Sequence, residues 1–272
     1  MNRRILLHIG SPKCGSTFLQ RALLDSRKAL AAVGVNYPAP GGTHPGNAGE
    51  MAEMDAAAFE ALFEGRMRTA ILSHEDLFAQ ARRGESLQAF AEATGTEVQV
   101  LAFLRPFSEF VFGDYSQFMK QHFERFLKAR DPYDGRGFEQ FAVDRANRLS
   151  PLVYFRKWQA RFPDTPLMIR SHRTIRETLT PWLNGADVSW EVPRDQTNPS
   201  LRMIDCDRLA RAMRDASVPP AQVRDQFRAA FHRTGDPDPG RSAERTAWIE
   251  AIFSTQNEGL MTEFGYDNRR QR

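Results

Sequence analysis

The stretch Ile5–Phe18, which reads ILLHIGSPKCGSTF, predicts a strand, a tight loop and the first turn of a helix in immediate succession. Its opening residues form a nearly continuous apolar run, as in a strand that is buried on both faces. Gly10 and Gly15 can adopt backbone angles that other residues avoid. From Ser16 onward, apolar residues recur at helical spacing. Such a loop directs backbone N–H groups and a positive helix end at one point, which predicts an anion-binding site.

The position of the lysine narrows the identity of the anion. A nucleoside-triphosphate loop of the Walker type reads G-x-x-x-x-G-K-[ST], with lysine directly after the second glycine. Gly10 and Gly15 have this spacing, but Ser16 occupies the lysine position and the lysine lies inside the loop, as Lys13. Thr17 could in principle bind a metal, although nothing obvious in the sequence completes a magnesium site. A P-loop kinase or nucleotidase that uses ATP and magnesium is therefore the weaker alternative.

The run PKCGST, which ends at Thr17, resembles the 5′-phosphosulfate loop of the sulfotransferases, usually written P-K-[ST]-G-[ST]-[ST]. These enzymes take a sulfuryl group from 3′-phosphoadenosine 5′-phosphosulfate (PAPS) and release adenosine 3′,5′-bisphosphate (PAP). Cys14 departs from the family pattern and removes one hydroxyl donor, but most contacts in such a loop come from backbone N–H groups. The resemblance implies that the phosphosulfate binds to Ser11, Pro12, Lys13, Cys14, Gly15, Ser16 and Thr17.

Composition argues against several other classes of function. The net charge of +3 suits an anionic cofactor but is too small to indicate nucleic acid. The two cysteines, Cys14 and Cys206, form neither a CxxC pair nor a Cys/His cluster, which predicts a reducing compartment and no structural zinc. Neither a signal peptide nor an apolar run of about 20 residues is visible. We therefore expect a cytoplasmic protein without a membrane span.

Strands alternate with helices along the first two thirds of the chain. This alternation predicts an α/β fold, a three-layer sandwich with a central parallel sheet, in a single domain over residues 1–272. The resemblance implies a P-loop NTPase-like arrangement, with a helical C-terminal extension. After the opening strand, the predicted strands are Val35–Pro38, Arg68–Ser73, Glu97–Leu104 and Pro166–Arg170. The predicted helices are Gly15–Val33, Met51–Phe63, Leu87–Thr94, Pro106–Ala129, Phe138–Asn147, Leu152–Phe162, Thr174–Leu183, Ile204–Asp215, Pro220–Phe231 and Ser242–Phe264.

A second segment resembles the part of the sulfotransferases that binds the donor's 3′-phosphate. In that family an arginine ends a central strand, and a serine follows on the next helix about eight residues later. Arg105 ends the strand LAFL, but Gly113 stands where the serine is expected. Ser108 and Ser116 lie on the same helix, one turn to either side. The resemblance implies that Arg105 contacts the 3′-phosphate, with Ser108, Gly113 and Ser116 beside it.

A third segment, Ser73-His74-Glu75, resembles the S-[SH]-E-x-[LF] element of bacterial sulfotransferases. Sulfuryl transfer needs a base that takes the acceptor's proton and positive charge near the leaving group. Lys13 fits the second role. Glu75 ranks first as the base because it lies beyond a buried strand end, His44 in a Gly-rich loop ranks second, and His74 is chemically able. Glu75 could instead support the start of the following helix.

The resulting expectation is a PAPS-dependent sulfotransferase that needs no metal. Its acceptor would present a hydroxyl or an amine, and a carbohydrate, a lipid headgroup or a small molecule is compatible with the sequence. Arg170, at the end of a strand, could also face the cofactor, and Arg194 and Asn198 lie in a loop that loosely resembles a family segment. A nucleotide-binding protein without catalysis is a further alternative, because Cys14 and Gly113 depart from the family pattern.

Overall fold

The computed structural model describes residues 2–191, 193 and 199–269. Arg194 and Asn198, noted above, lie outside the described residues. The chain divides into two compact units. The first comprises residues 1–105, 151–197 and 258–272, and the second comprises residues 106–150 and 198–257.

A parallel sheet of five strands forms the first unit. The strands lie in the order β2-β3-β1-β4-β5, and every neighbouring pair is parallel. This confirms the predicted α/β fold with a parallel sheet, and the helices around it are consistent with a three-layer sandwich. The strands are β1 (Arg4–His8), β2 (Val35–Asn36), β3 (Thr69–Ser73), β4 (Glu97–Leu104) and β5 (Met168–Ser171).

The helices follow the strands in the predicted alternation. They are α1 (Ser16–Asp25), α2 (Arg27–Ala32), α3 (Ala56–Ala61), α4 (Glu85–Thr94), α5 (Phe107–Ala129), α6 (Phe138–Arg148), α7 (Pro151–Arg161), α8 (Ile175–Leu179), α9 (Met203–Arg214), α10 (Pro220–Phe231), α11 (Ala243–Ile252) and α12 (Ser254–Phe264). On one face of the sheet, Leu6, Ile71 and Phe103 pack against Leu19 and Leu23 of α1 in a core without solvent access. Burial of these side chains removes apolar surface from water, and it fixes α1 over β1 and β3.

Four helices predicted as continuous are interrupted. The helix expected over Gly15–Val33 is α1 and α2, separated at Ser26, whose hydroxyl accepts a hydrogen bond from the Ser189 N–H at 3.1 Å. A side chain that bonds to backbone in this way competes with helix continuation. Within Met51–Phe63, a 3₁₀ turn precedes α3, because Asp55 caps the new helix by accepting from the Ala58 N–H at 2.8 Å.

The other interruptions have similar local causes. The segment predicted as one helix over Ser242–Phe264 is α11 and α12, and Phe253 between them stacks on Phe107 at 4.4 Å between ring centroids. The helix expected over Thr174–Leu183 is only α8, followed by a 3₁₀ turn over Thr180–Trp182. Pro181 lies in that turn and has no N–H with which to continue the helix.

The second unit is helical and has an aromatic core. Apolar residues that recur at helical spacing along α5, among them Phe110, Tyr115 and Phe123, are buried in this core. Tyr115 of α5 stacks on Tyr133 at 3.8 Å between ring centroids, and Phe123 stacks on Phe227 of α10 at the same separation. Stacked pairs of this kind add to the burial energy of the rings. Over the described part of the chain, none of the helices combines the length and the apolar character that crossing a bilayer requires.

Substitutions of two valines test which residues form the core of the first unit. Val100 in β4 is 1% exposed, whereas Val33 at the end of α2 is 37% exposed. We expect Val100→Ala to lower the free energy of unfolding by about 2 kcal/mol, through lost burial and a residual cavity. The matched change Val33→Ala should alter it by less than about 0.5 kcal/mol. Urea titrations measure both values, and equal losses would contradict the assigned core.

Candidate active site

Two candidate segments follow neighbouring strands of the sheet. The loop over residues 9–15 follows β1, and Arg105 follows β4, which pairs with β1. After β1 the chain continues to β2 on one side of the sheet, and after β4 it continues to β5 on the other side. In open α/β sheets, ligands bind beyond the carboxyl ends of the strands at such a reversal of strand order. The topology therefore favours a ligand site between this loop and Arg105.

The loop backbone has the conformation of an anion-binding nest. Lys13 adopts φ of +62° and Gly15 adopts φ of +88°, both in the left-handed region. Cys14 between them has no positive φ, and Ser16 begins the right-handed α1, so the handedness alternates along the loop. Successive N–H groups in a backbone of this kind can converge on one side of the chain. The Cys14 N–H closes the turn itself, because it donates to the Ser11 carbonyl at 3.3 Å. The first N–H groups of α1, which have no partner within the helix, extend this concave surface.

Two glycines allow the loop to pack closely on its neighbours. Gly10 adopts φ of +72°, and a Cβ atom built there would lie 2.4 Å from the Glu75 Cα. A Cβ atom on Gly15 would lie 2.8 Å from the Ile175 Cδ1. At Gly10 the added Cβ would meet backbone atoms, which cannot move to another rotamer as a side chain can. The end of β1 and the start of the Glu75 segment are therefore fixed against each other.

Arg105 and the loop interact through Cys14. Burial raises the pKa of the Cys14 thiol, and the Arg105 guanidinium opposes this shift through its charge and a hydrogen bond. The thiol also contacts the Ser11 hydroxyl at 3.5 Å. Ser16 Oγ and Arg105 Nε are both buried and have no hydrogen-bond partner among the described residues. Because buried polar atoms normally find partners, these two fit a site that binds the oxygens of an anion.

Three of the predicted 3′-phosphate residues lie in the second unit. Gly113, Ser108 and Ser116 are all buried on α5. The Ser116 hydroxyl accepts a hydrogen bond from the Leu201 N–H at 2.7 Å, and the Ser108 N–H donates to Glu250 Oε1 at 2.8 Å. These contacts link α5 to other elements of its own unit. A role of the three residues in phosphate binding stays a prediction.

Glu75 and His44, two of the three candidate bases, form a pair. His44 Nε2 lies 3.1 Å from Glu75 Oε1, and the two side chains are about one third to one half exposed. Asn47 holds the loop that carries His44 against the end of β3. It exchanges two hydrogen bonds with the Ser73 backbone, at 2.9 and 2.8 Å. A carboxylate and an imidazole are therefore placed together beside the anion loop.

The hydrogen bonds distinguish the roles of the three bases. The Gly46 N–H donates to His44 Nδ1 at 3.0 Å, so the neutral ring carries its proton on Nε2 and donates it to Glu75. His74 caps the following 3₁₀ turn, because its Nδ1 accepts from the Asp76 N–H at 3.2 Å. Burial lowers the pKa of His74, and His44 contributes to the same shift. Glu75 itself does not cap this turn, and of the three it has the most free acceptor capacity.

Several site residues lie outside the segments that resemble family motifs. Gln20 of α1 donates to Glu75 Oε2 at 3.2 Å and to Ser73 Oγ at 3.1 Å. His8 Nδ1 lies 2.8 Å from the same hydroxyl. Tyr266 lies close enough to Cys14 and Arg170 to interact electrostatically with both, although burial is the main cause of its raised pKa. Gln20 follows Ser16 by four residues, which places both on one face of α1. This spacing is the sequence signal by which Gln20 could have been found.

Comparison with known proteins adds no family assignment. No protein-family model matches the chain, and no curated protein matches it. Within the described ranges, no group of three or more His, Cys, Asp or Glu side chains is arranged to hold a metal ion. The case for a function therefore depends on the geometry of the site and on the loop sequence.

Gly10→Ala tests the close contact between the loop and Glu75. The new Cβ meets backbone, and the left-handed φ is strained for alanine. Gly95 is a matched control, because it has φ of +65° but no atom within 4 Å of a built Cβ. We expect Gly10→Ala to cost about 1–3 kcal/mol more than Gly95→Ala in the free energy of unfolding. Equal costs in urea titrations would show that the contact carries no constraint.

His8 gives a pH-dependent prediction. Burial lowers its pKa to about 3, whereas the unfolded chain has a value near 6.5. As pH falls below 6.5, His8 becomes protonated in the unfolded state but stays neutral in the folded state. The free energy of unfolding therefore decreases. From about pH 7 to about pH 5 this loss amounts to about 2 kcal/mol. His8→Leu should remove that part of the acid destabilisation, measured by urea titration at the two pH values. An unchanged difference between them would contradict the prediction.

Proposed function

We propose that the protein is a sulfotransferase that uses PAPS, with a P-loop NTPase-like arrangement of sheet and anion loop. One observation carries the proposal: the nest of N–H groups formed by left-handed Lys13 and Gly15 at the start of α1, with Arg105 beside it. The nest supports binding of an anion, and the resemblance of PKCGST to the sulfotransferase loop supports a phosphosulfate as that anion. Lysine inside the loop, rather than after Gly15, argues against a nucleoside-triphosphate site.

The residues present fit the donor. The loop N–H groups and Ser16 Oγ supply hydrogen-bond donors for phosphosulfate oxygens, and Arg105 supplies a planar cation of the kind that binds phosphate. Lys13 is half-buried in the loop, where a positive charge interacts strongly with a leaving phosphate oxygen. PAPS supplies an activated sulfuryl group when bound. The free thiols of Cys14 and Cys206 are in keeping with the expected cytoplasmic compartment.

Proton removal is assigned to Glu75. Its backbone lies against Gly10, and its carboxylate accepts a hydrogen bond from His44, which together place it beside the loop. It would accept the proton of an acceptor hydroxyl or amine as that group attacks sulfur in line with the leaving phosphate. Lys13 would balance the charge that develops on the phosphate oxygen. The sulfuryl group then passes directly to the acceptor, and this route uses no metal and no covalent enzyme intermediate.

Lysine substitutions test the assignment. Transfer of radioactive sulfate from labelled PAPS to a panel of carbohydrate, lipid-headgroup, alcohol and amine acceptors measures activity. We expect Lys13→Ala to lower kcat by about 100-fold or more, since it removes charge stabilisation at the leaving group, while the melting temperature stays close to that of the parent. Lys28→Ala, at an exposed position on α2, is the matched control and should retain full activity.

Three outcomes would contradict the proposal. Near-normal transfer by Lys13→Ala would remove the lysine from the mechanism. Failure of the parent to transfer sulfate to any member of the panel, together with ATP turnover that depends on magnesium, would favour the kinase alternative. Tight binding of PAP without transfer would instead favour a nucleotide-binding protein without catalysis.

A further inference from the structure

Gln20 joins the anion loop to the candidate base. Its amide is completely buried, and Nε2 donates both to Ser73 Oγ and to Glu75 Oε2. It lies one helical turn beyond Ser16, on the helix whose N-terminus borders the loop. The helix that faces the proposed donor thus carries a group that holds the carboxylate.

Gln20 Nε2 faces two acceptors on this side of the carboxylate. One of them, Ser73 Oγ, also lies 2.8 Å from His8 Nδ1, with which it forms a second hydrogen bond. A flipped Gln20 amide would instead place its oxygen against the Glu75 carboxylate, where two acceptors repel. The orientation with Nε2 toward Glu75 is therefore the one that the surroundings favour.

His44 holds the other oxygen of the carboxylate. Its Nδ1 accepts from the Gly46 N–H, which leaves the Nε2 proton for Glu75 Oε1. Among the described residues, Glu75 Oε1 therefore accepts one hydrogen bond, from His44, and Oε2 accepts one, from Gln20. An ionised carboxylate has about four acceptor sites, so about two stay available for the proton of an acceptor. Both described groups that bond to the Glu75 oxygens are donors.

We propose that Gln20 is a positioning residue, which together with His44 holds the Glu75 carboxylate in one orientation relative to the Ser11–Thr17 loop. This inference rests on the proposed function. Without Gln20, Oε2 loses its only hydrogen bond to α1, and the carboxylate can rotate about its side-chain torsions. Donor binding does not depend on that orientation, because the loop backbone is unchanged. The expected consequence is a loss of turnover without a loss of affinity for the donor.

Gln20→Leu, which removes both donors at similar volume, tests the proposal in the full-length protein. With labelled PAPS and the best acceptor of the panel, we expect kcat to fall about 10- to 100-fold, as for a misplaced catalytic group. The KM for PAPS and the Kd for PAP should change less than about twofold. Gln159→Leu is the matched control. Gln159 is an amide of the first unit that donates to the Phe162 and Thr165 carbonyls, and its loss should leave kcat within about twofold.

A spectroscopic measurement tests the hydrogen bonds around Glu75 and needs no acceptor substrate. In ¹⁵N-histidine-labelled protein, the two ring nitrogens of a neutral imidazole have distinct shifts, and the His44 signals are assigned with His44→Gln. The parent should show His44 protonated on Nε2, because the Gly46 N–H occupies Nδ1. Gln20→Leu should keep this tautomer but shift the Nε2 signal, because the carboxylate that accepts from Nε2 is no longer fixed. Gln159→Leu should match the parent spectrum.

The outcomes separate this inference from the proposed function. A parent that transfers sulfate, with Gln20→Leu equal to Gln159→Leu in kcat, overturns the positioning role alone. An unchanged His44 spectrum in Gln20→Leu overturns it as well. A parent that neither binds PAP nor transfers sulfate overturns both proposals together. Support requires the fall in kcat, the retained PAP affinity and the altered His44 spectrum.

Discussion

The candidate site depends on the contact between Gly10 and the backbone of Glu75. Strands β1 and β3 are neighbours, so their carboxyl ends meet, but a side chain at position 10 would force them apart. Glycine allows the two segments to touch, and its left-handed φ turns the chain from β1 into the anion loop. That contact places the Glu75 backbone against the end of β1. Gln20, from the first turns of α1, reinforces it.

Burying polar groups beneath the site has a cost, which the structure offsets by pairing them. His8, Ser73 and Gln20 have almost no solvent access, yet each uses at least one polar atom in a hydrogen bond. An unpaired buried amide or hydroxyl costs about 1–3 kcal/mol. The paired atoms offset part of that cost, whereas His8 Nε2 and Gln20 Oε1 are buried without a partner among the described residues. Ser16 Oγ and Arg105 Nε are also buried without a described partner, and they lie in the two segments for which anion binding is proposed.

Much of the sheet could be predicted because strand signals are local. β4 has the predicted bounds Glu97–Leu104, since its apolar run ends sharply at Arg105. The helix breaks at Ser26 and Phe253 could not be predicted, because each depends on a contact with a distant residue, Ser189 or Phe107. The same reason applies to the site. The loop and Glu75 were accessible from motifs, whereas Gln20 and His8 acquire their roles only when α1 packs on the end of β3.

The proposed donor is adenosine 3′,5′-bisphosphate with a sulfuryl group on its 5′-phosphate, and the loop would bind the resulting phosphosulfate. A thermal-shift titration that compares PAP with ATP plus magnesium tests it most directly. A ligand that binds only the folded state stabilises it by about 2.7 kcal/mol at 100 times its Kd, which raises the melting temperature. We expect a saturable rise with PAP and none with ATP and magnesium. A rise with ATP and magnesium alone would rule out the proposed PAPS site and indicate a nucleoside-triphosphate site.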